Sequence, residues 1–309
     1  MASLVSAVIV LIGCGAGSQS DLATEAATPV SGSTESAEAL PALPPGQSLG
    51  NELGISAVPN LRDVGGYTTA DGATVARGVV YRSEVFHPLG AEDIESLGRV
   101  GLKTVYDLRT TAEIAEKPDQ LPADAHHITL NVLADSKGAA PAELGALMHD
   151  PKKANAELGG GKIEAMFTKG YREFVSLESA KTAYRELFLS LADGANAPGV
   201  FHCTTGKDRT GWAAAALLTL LGVPQETVLE DFLRSNDYIL PQYQKVVDEF
   251  VADGGDREIP LAIFGVKAEY LEASFDEMRT QYGSIEEYFA DGLGIDAAGQ
   301  AALRDRFIE

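Results

Sequence analysis

Cysteine is nearly absent from this chain of 309 residues, which has only Cys14 and Cys203. If one is modified and the other reactive, no disulfide remains to form, and stability must come from the core. Basic residues are scarce as well. There is no Lys or Arg before Arg62, and over the whole chain 24 basic residues stand against 45 acidic ones, a formal net charge of −21. A surface of that sign repels polyanions, so nucleic acid is excluded as a partner. An anionic substrate can be drawn only by local positive charge, for which Lys207, Arg209, Arg62, Arg82 and Arg109 are the candidates. The five histidines, at 87, 126, 127, 149 and 202, show no ligand spacing that suggests a zinc site. Two adjacent ones, His126 and His127, would point to opposite faces of a strand. No metal or cofactor is expected.

With 45% hydrophobic and 22% charged residues, the chain is long enough for one large domain or two small ones. Residues 1–13 carry no charge and run apolar to Cys14, too short to span a bilayer but suited to the core of a secretory signal. Leu11-Ile12-Gly13-Cys14 resembles the bacterial lipobox, in which the cysteine is lipidated. Lipidation at Cys14, export and a lipid anchor on a bacterial membrane are therefore expected, although no basic residue precedes the run. Residues 14–58, rich in Ala, Ser, Thr, Pro and Gly with acidic residues only, read as a disordered tether. The folded domain is expected over 59–309.

The chemistry concentrates at 198–215. A short apolar run ending at His202-Cys203 reads as a buried strand, and the Ala/Leu-rich run after Arg209 as a packed helix. Successive backbone N–H groups of a loop joining strand to helix turn inward and make an anion cradle with the helix dipole behind it. A thiol at the start of such a loop ionises more readily than a free one, which places Cys203 as nucleophile. The fork of Arg209 can hold two phosphate oxygens. Gly206 permits a tight turn, Thr204, Thr205 and Lys207 complete the cradle, and Thr210 can donate its hydroxyl to the sulfur.

His202-Cys203-Thr204-Thr205-Gly206-Lys207-Asp208-Arg209-Thr210-Gly211 resembles the signature loop of cysteine-dependent protein tyrosine phosphatases, in the form found in the bacterial tyrosine/serine phosphatase family. Asn60-Leu61-Arg62-Asp63-Val64-Gly65-Gly66, Tyr81-Arg82-Ser83-Glu84, Asp107-Leu108-Arg109, Leu233-Arg234-Ser235-Asn236-Asp237 and Val266-Lys267-Ala268-Glu269-Tyr270-Leu271 are similar to that family too. The resemblance implies hydrolysis of phosphotyrosine in proteins or peptides through a phosphocysteine, with phosphoserine/threonine as further substrates. It also implies a lid around 134–175, where the residues alone read equally as a surface insertion. Lys207, a second cation in the loop, resembles the arrangement in phosphoinositide phosphatases, or is simply solvated. The general acid is open between Asp107, at a strand end and favoured by the resemblance, and Asp208, inside the loop; the only Trp, Trp212, leaves no Trp-Pro-Asp loop. His202 is expected to orient the loop. A catalytically silent phosphate-binding lipoprotein is the reading from another class, and a sulfur-transfer loop is weakened by the Arg-Thr ending.

Strand and helix patterns alternate from 79 to 131, with a hairpin before them across 67–75. They imply an α/β fold: a mainly parallel sheet flanked by helices, phosphatase-like, with a helical C-terminal third. In such sheets ligands bind beyond the carboxyl ends of the strands, where Asp107 and Cys203 would both lie.

Overall fold

Five short strands, β1 (Arg62–Asp63), β2 (Val80–Ser83), β3 (Thr104–Asp107), β4 (His126–Thr129) and β5 (Gly199–His202), form one sheet in the order β1-β2-β5-β3-β4. The computed structural model describes residues 40–137, 144 and 147–309. The apolar N-terminal run, Cys14 and most of the expected tether lie outside the described residues. Strands β2, β5, β3 and β4 are parallel, and β1 pairs antiparallel with β2. The last strand in the chain is thus the central one. Register places His202 beside Ser83 on one side and beside Asp107 on the other, so three strand ends converge where the signature loop begins.

The side chains of the three middle strands alternate between two cores. Val80, Tyr106 and Phe201 face the larger core, whereas Tyr81, Val105 and Val200 face the smaller one. That period-two division buries both faces of the sheet and explains why these strands read as continuous apolar runs.

In chain order the helices are α1 (Leu49–Glu52), α2 (Ala91–Gly98), α3 (Thr111–Glu116), α4 (Pro151–Leu158), α5 (Lys162–Ser176), α6 (Glu178–Ala192) and α7 (Arg209–Leu220). They continue with α8 (Gln225–Leu233), α9 (Ser235–Ala252), α10 (Glu258–Phe264), α11 (Ala268–Tyr282), α12 (Ile285–Glu287) and α13 (Ala297–Phe307). Helix α7 is buried on nearly every side, from Arg209 to Leu218 and again at Leu220. A helix apolar all round belongs at the centre of a core, and Trp212 there packs edge-on against Phe275 and Tyr288. The hairpin expected across 67–75 is present as paired Thr68 and Thr74.

The expected boundary at residue 58 is too late. Leu49, Ile55 and Val58 are buried in the smaller core with Leu61, Tyr81 and Phe86, and Leu40 and Leu43 pack against it. These residues have no helical or strand period, so composition alone read them as tether. The expected lid range also divides. Tyr171, Phe174 and Val175 of α5 belong to the larger core, while Ala154, Leu158 and Ile163 join Phe250, Ile259 and Ala262 in a third, small cluster.

Candidate active site

Cys203 follows β5 directly and is almost completely buried, and Arg209 opens α7 six residues on. Gly206, between them, has φ +66 and lies so close to β2 that a Cβ would come within 2.4 Å of the Ser83 carbonyl oxygen. Only glycine fits that turn and that approach. Thr210 is fully buried and its hydroxyl has no hydrogen-bond partner among the described residues. A buried, unmatched donor of this kind is costly unless something in the loop accepts it.

Arg209 is clamped from α3. Its two terminal nitrogens donate to the Glu113 carboxylate at 2.8 and 2.7 Å, and the Thr204 hydroxyl donates to the same carboxylate. Glu113 is also the third residue of a capping box, accepting from the Thr110 backbone N–H and hydroxyl. Burial would raise the Glu113 carboxyl, but the hydrogen bonds and charge of Arg209, with Thr204 and Thr110, hold it well below the usual carboxylate range. Burial likewise opposes the charge of Arg209, and Glu113 outweighs it, so the guanidinium is fixed in its protonated form. Sequence reasoning missed Glu113, although Thr110-Thr111-Ala112-Glu113 after a strand is a legible capping signature.

Asp107 lies at the end of β3 as expected, but wholly buried and engaged. Arg109 donates to both its oxygens, at 2.8 and 2.6 Å, and His127 Nε2 lies 3.3 Å from Oδ2. Asp119, which no sequence signal marked, joins this group. It takes Arg109 at 2.8 Å, lies 3.3 Å from His127, and has His202 Nε2 at 3.2 Å. Ligand-type atoms of Asp107, Asp119, His127 and His202 fall within 4.8 Å of one another, a grouping that histidine spacing did not reveal. Positive charge is already supplied there by the Arg109 guanidinium, which bridges the two carboxylates. Burial would raise Asp107 and Asp119, yet their hydrogen bonds and the neighbouring cations hold both low. Hydrogen bonds to Asp107 and Asp119 push His127 up to about 9. His202 also lies 3.2 Å from the Cys203 carbonyl through Nδ1 and meets Phe86 edge-on.

Lys207 is not solvated. It is buried, donates to Asp208 Oδ1 at 2.9 Å and to the Gly265 carbonyl at 3.0 Å, and lies 5.1 Å over the Phe167 ring. Asp208, whose side chain is 22% exposed, also accepts from the Tyr171 hydroxyl at 2.8 Å. Both donors reach Oδ1, and among the described residues no hydrogen bond reaches Oδ2.

Arg62, expected to touch substrate, is fully buried behind the loop. It donates to Asn60, Asp231 and Ser235, so the structure places it as a support and not as a ligand contact. Arg82 sits beside it, donating to Asp231 and to the Gly206 carbonyl.

A family model described as the tyrosine phosphatase family matches residues 53–309. Among relatives, the triple specificity protein phosphatase PtpB of Mycobacterium tuberculosis is 31% identical over 270 residues, covering 79% of this chain and 95% of that one. A protein of Cupriavidus necator that carries a provisional tyrosine-protein phosphatase name is 30% identical over 251 residues, covering 80% and 86%. A tyrosine-protein phosphatase of Nostoc commune is 28% identical over 202 residues, 63% of each chain.

Proposed function

The chain belongs to the tyrosine phosphatase family and is a protein-tyrosine phosphatase, and from that premise we propose how its residues divide the reaction. Cys203 Sγ attacks the phosphorus of a phosphotyrosine, an S–P bond forms and the bond to the phenolic oxygen breaks. Inward amides of the loop and the guanidinium of Arg209 offset charge on the equatorial oxygens. The buried hydroxyl of Thr210, unmatched among the described residues, donates to the sulfur as attacker and again as leaving group. A water then attacks the phosphocysteine, giving its proton to the carboxylate that protonated the phenoxide, and the S–P bond breaks to release inorganic phosphate and restore the thiolate.

The observation that carries this reading is that Arg209 is locked by Glu113 at the far end of the loop that Cys203 begins. A preset guanidinium needs no reorganisation when charge develops. For the general acid we propose Asp208. Asp107 is sealed under Arg109, whereas Asp208 is part exposed with Oδ2 unengaged by the described residues, free to hand a proton to the leaving oxygen. The test is hydrolysis of a chromogenic aryl phosphate in EDTA. Turnover that Cys203→Ser abolishes supports the reading, and turnover that survives the substitution overturns it.

Dual specificity toward phosphoserine and phosphothreonine is in keeping with the relative named for triple specificity. A phosphoinositide preference through Lys207 has less behind it, because that cation is matched by Asp208. Equal losses on a phosphotyrosine peptide and a phosphoinositide in Lys207→Ala would remove it. We further propose export and lipid anchoring at Cys14, on the strength of the apolar run and Leu11-Ile12-Gly13-Cys14. Labelling by a fatty acid that persists in Cys14→Ser would rule that out.

A further inference from the structure

We infer that Asp231, on α8 and outside the reacting group, is a positioning residue that sets the loop's inward amides by way of Arg82, Arg62 and Asn60. This rests on the anion-cradle reading of residues 203–209.

The argument begins with the loop's own peptide groups. In a trans peptide the C=O and the following N–H point in opposite directions. A carbonyl tied down outside the loop therefore turns the next N–H inside. Two carbonyls are tied in this way. Asn60 Nδ2 donates to Thr205 O at 3.1 Å and to Gly206 O at 3.2 Å, and Arg82 donates to Gly206 O at 2.9 Å. The amides thereby turned inward are those of Gly206 and Lys207.

The donors that do this are themselves held by one carboxylate. Asp231 Oδ2 accepts from Arg82 at 2.6 Å, and Oδ1 accepts from Arg62 at 2.6 Å and from the Tyr67 hydroxyl at 2.7 Å. Arg62 in turn donates through Nε to Asn60 Oδ1 at 3.1 Å, fixing the amide that reaches the loop. Arg62, Arg82 and Asp231 are each at most 4% exposed. Two guanidinium groups side by side in a dry interior repel, and Asp231 is the group that both of them pair with. Two cations on one anion also leave a formal positive charge directly behind the cradle, of the sign that favours a bound oxyanion. Asp231 touches neither sulfur nor phosphate in this scheme. It acts through the direction of two peptide groups, an effect large enough to outweigh the extra positive charge that its removal would leave behind the cradle.

Orthovanadate inhibition is the readout, taken beside melting temperature and the separate kcat and KM for an aryl phosphate. Asp231→Asn is expected to raise the vanadate inhibition constant and KM about tenfold, the loss of roughly one charge-assisted hydrogen bond. Leu303→Ala, a cavity in α13, is expected to lower the melting temperature and leave the vanadate constant unchanged. If Asp231→Asn does not fold, Asn60→Ala decides, since it removes the tie on Thr205 O and one of the two ties on Gly206 O and no charge; a rise in the vanadate constant supports the inference. A folded Asp231→Asn, or a folded Asn60→Ala, with wild-type vanadate inhibition overturns it. So does a Leu303→Ala protein with the same loss. None of these outcomes bears on the phosphatase reading, which stands or falls with Cys203→Ser.

Discussion

At the scale of single residues, the two aspartates separate by what already holds them. Asp208→Asn should lower kcat about 100-fold or more on phenyl phosphate, the usual range for a lost general acid, and far less on an aryl phosphate whose leaving group needs no proton. Asp107→Asn should instead lower the melting temperature, because it leaves Arg109 paired only with Asp119, and its kcat ratio between the two substrates should stay that of wild type. Measuring both substrates on both variants checks this, and a leaving-group dependence in Asp107→Asn would reverse the assignment. Sequence could place both carboxylates near the strand ends but could not choose. The choice turns on Arg109 folding back two residues onto Asp107, and a side-chain conformation has no signature in spacing. Sequence left Lys207 open for the same reason, since its burial depends on Phe167 and Gly265, far away in the chain.

At the scale of elements, the site is a strand, a loop and a helix braced by a second helix. Cys203 and Arg209 were legible because their spacing and the strand-loop-helix pattern are local. The braces are not local: Glu113 comes from α3, Asn60 and Arg62 from the start of the sheet, and Asp231 from α8. Glu113→Ala removes the carboxylate half of the α3 capping box and the clamp on Arg209 together, while the Thr110 N-cap stays. Leaving a buried guanidinium without its carboxylate should cost about 3–5 kcal/mol of stability. Displacing the fork should lower kcat/KM about 100-fold, as small misplacements of positioned groups do. Denaturant unfolding and steady-state kinetics on the same preparation test both, and an unchanged kcat/KM would show that Glu113 does not set Arg209. Gly211 adds a packing constraint at the same junction, because a Cβ there would come within 2.9 Å of the Phe232 ring on α8.

At the scale of the whole molecule, buried titratable groups fix where the fold is most stable. Burial pushes the Glu84 carboxyl up to about 8 against the pull of its hydrogen bonds from Asn60 and Gln242. The folded state therefore binds its proton more tightly than the unfolded chain, and stability declines as pH rises from about 4.5 through about 8. His127 adds stability that is complete below about 6.5 and is lost as pH rises through about 9. The depressed carboxylates Asp107, Asp119, Glu113 and Asp231 act the other way, and their contribution fades as pH falls below the ordinary carboxylate range. The melting temperature should accordingly peak near pH 5–6. Glu84→Gln should raise it more at pH 8.5 than at pH 5, and a difference that does not grow with pH would show that Glu84 is already ionised in the fold. The alternation of strands and helices and the helical C-terminal third were legible, since those patterns are periodic. The entry of residues 40–58 into the smaller core was not, because that burial comes from irregular apolar residues meeting a strand face.

The strand that delivers the nucleophile has Phe201 in one core and Val200 in the other, with paired strands on both edges. Neither core can loosen on its own and release it. Amide hydrogens of residues 200–202 should therefore exchange with solvent only through global unfolding, at rates that track total stability in denaturant. Loss of activity on heating should then coincide with loss of the fold, leaving no folded population with a slack catalytic loop.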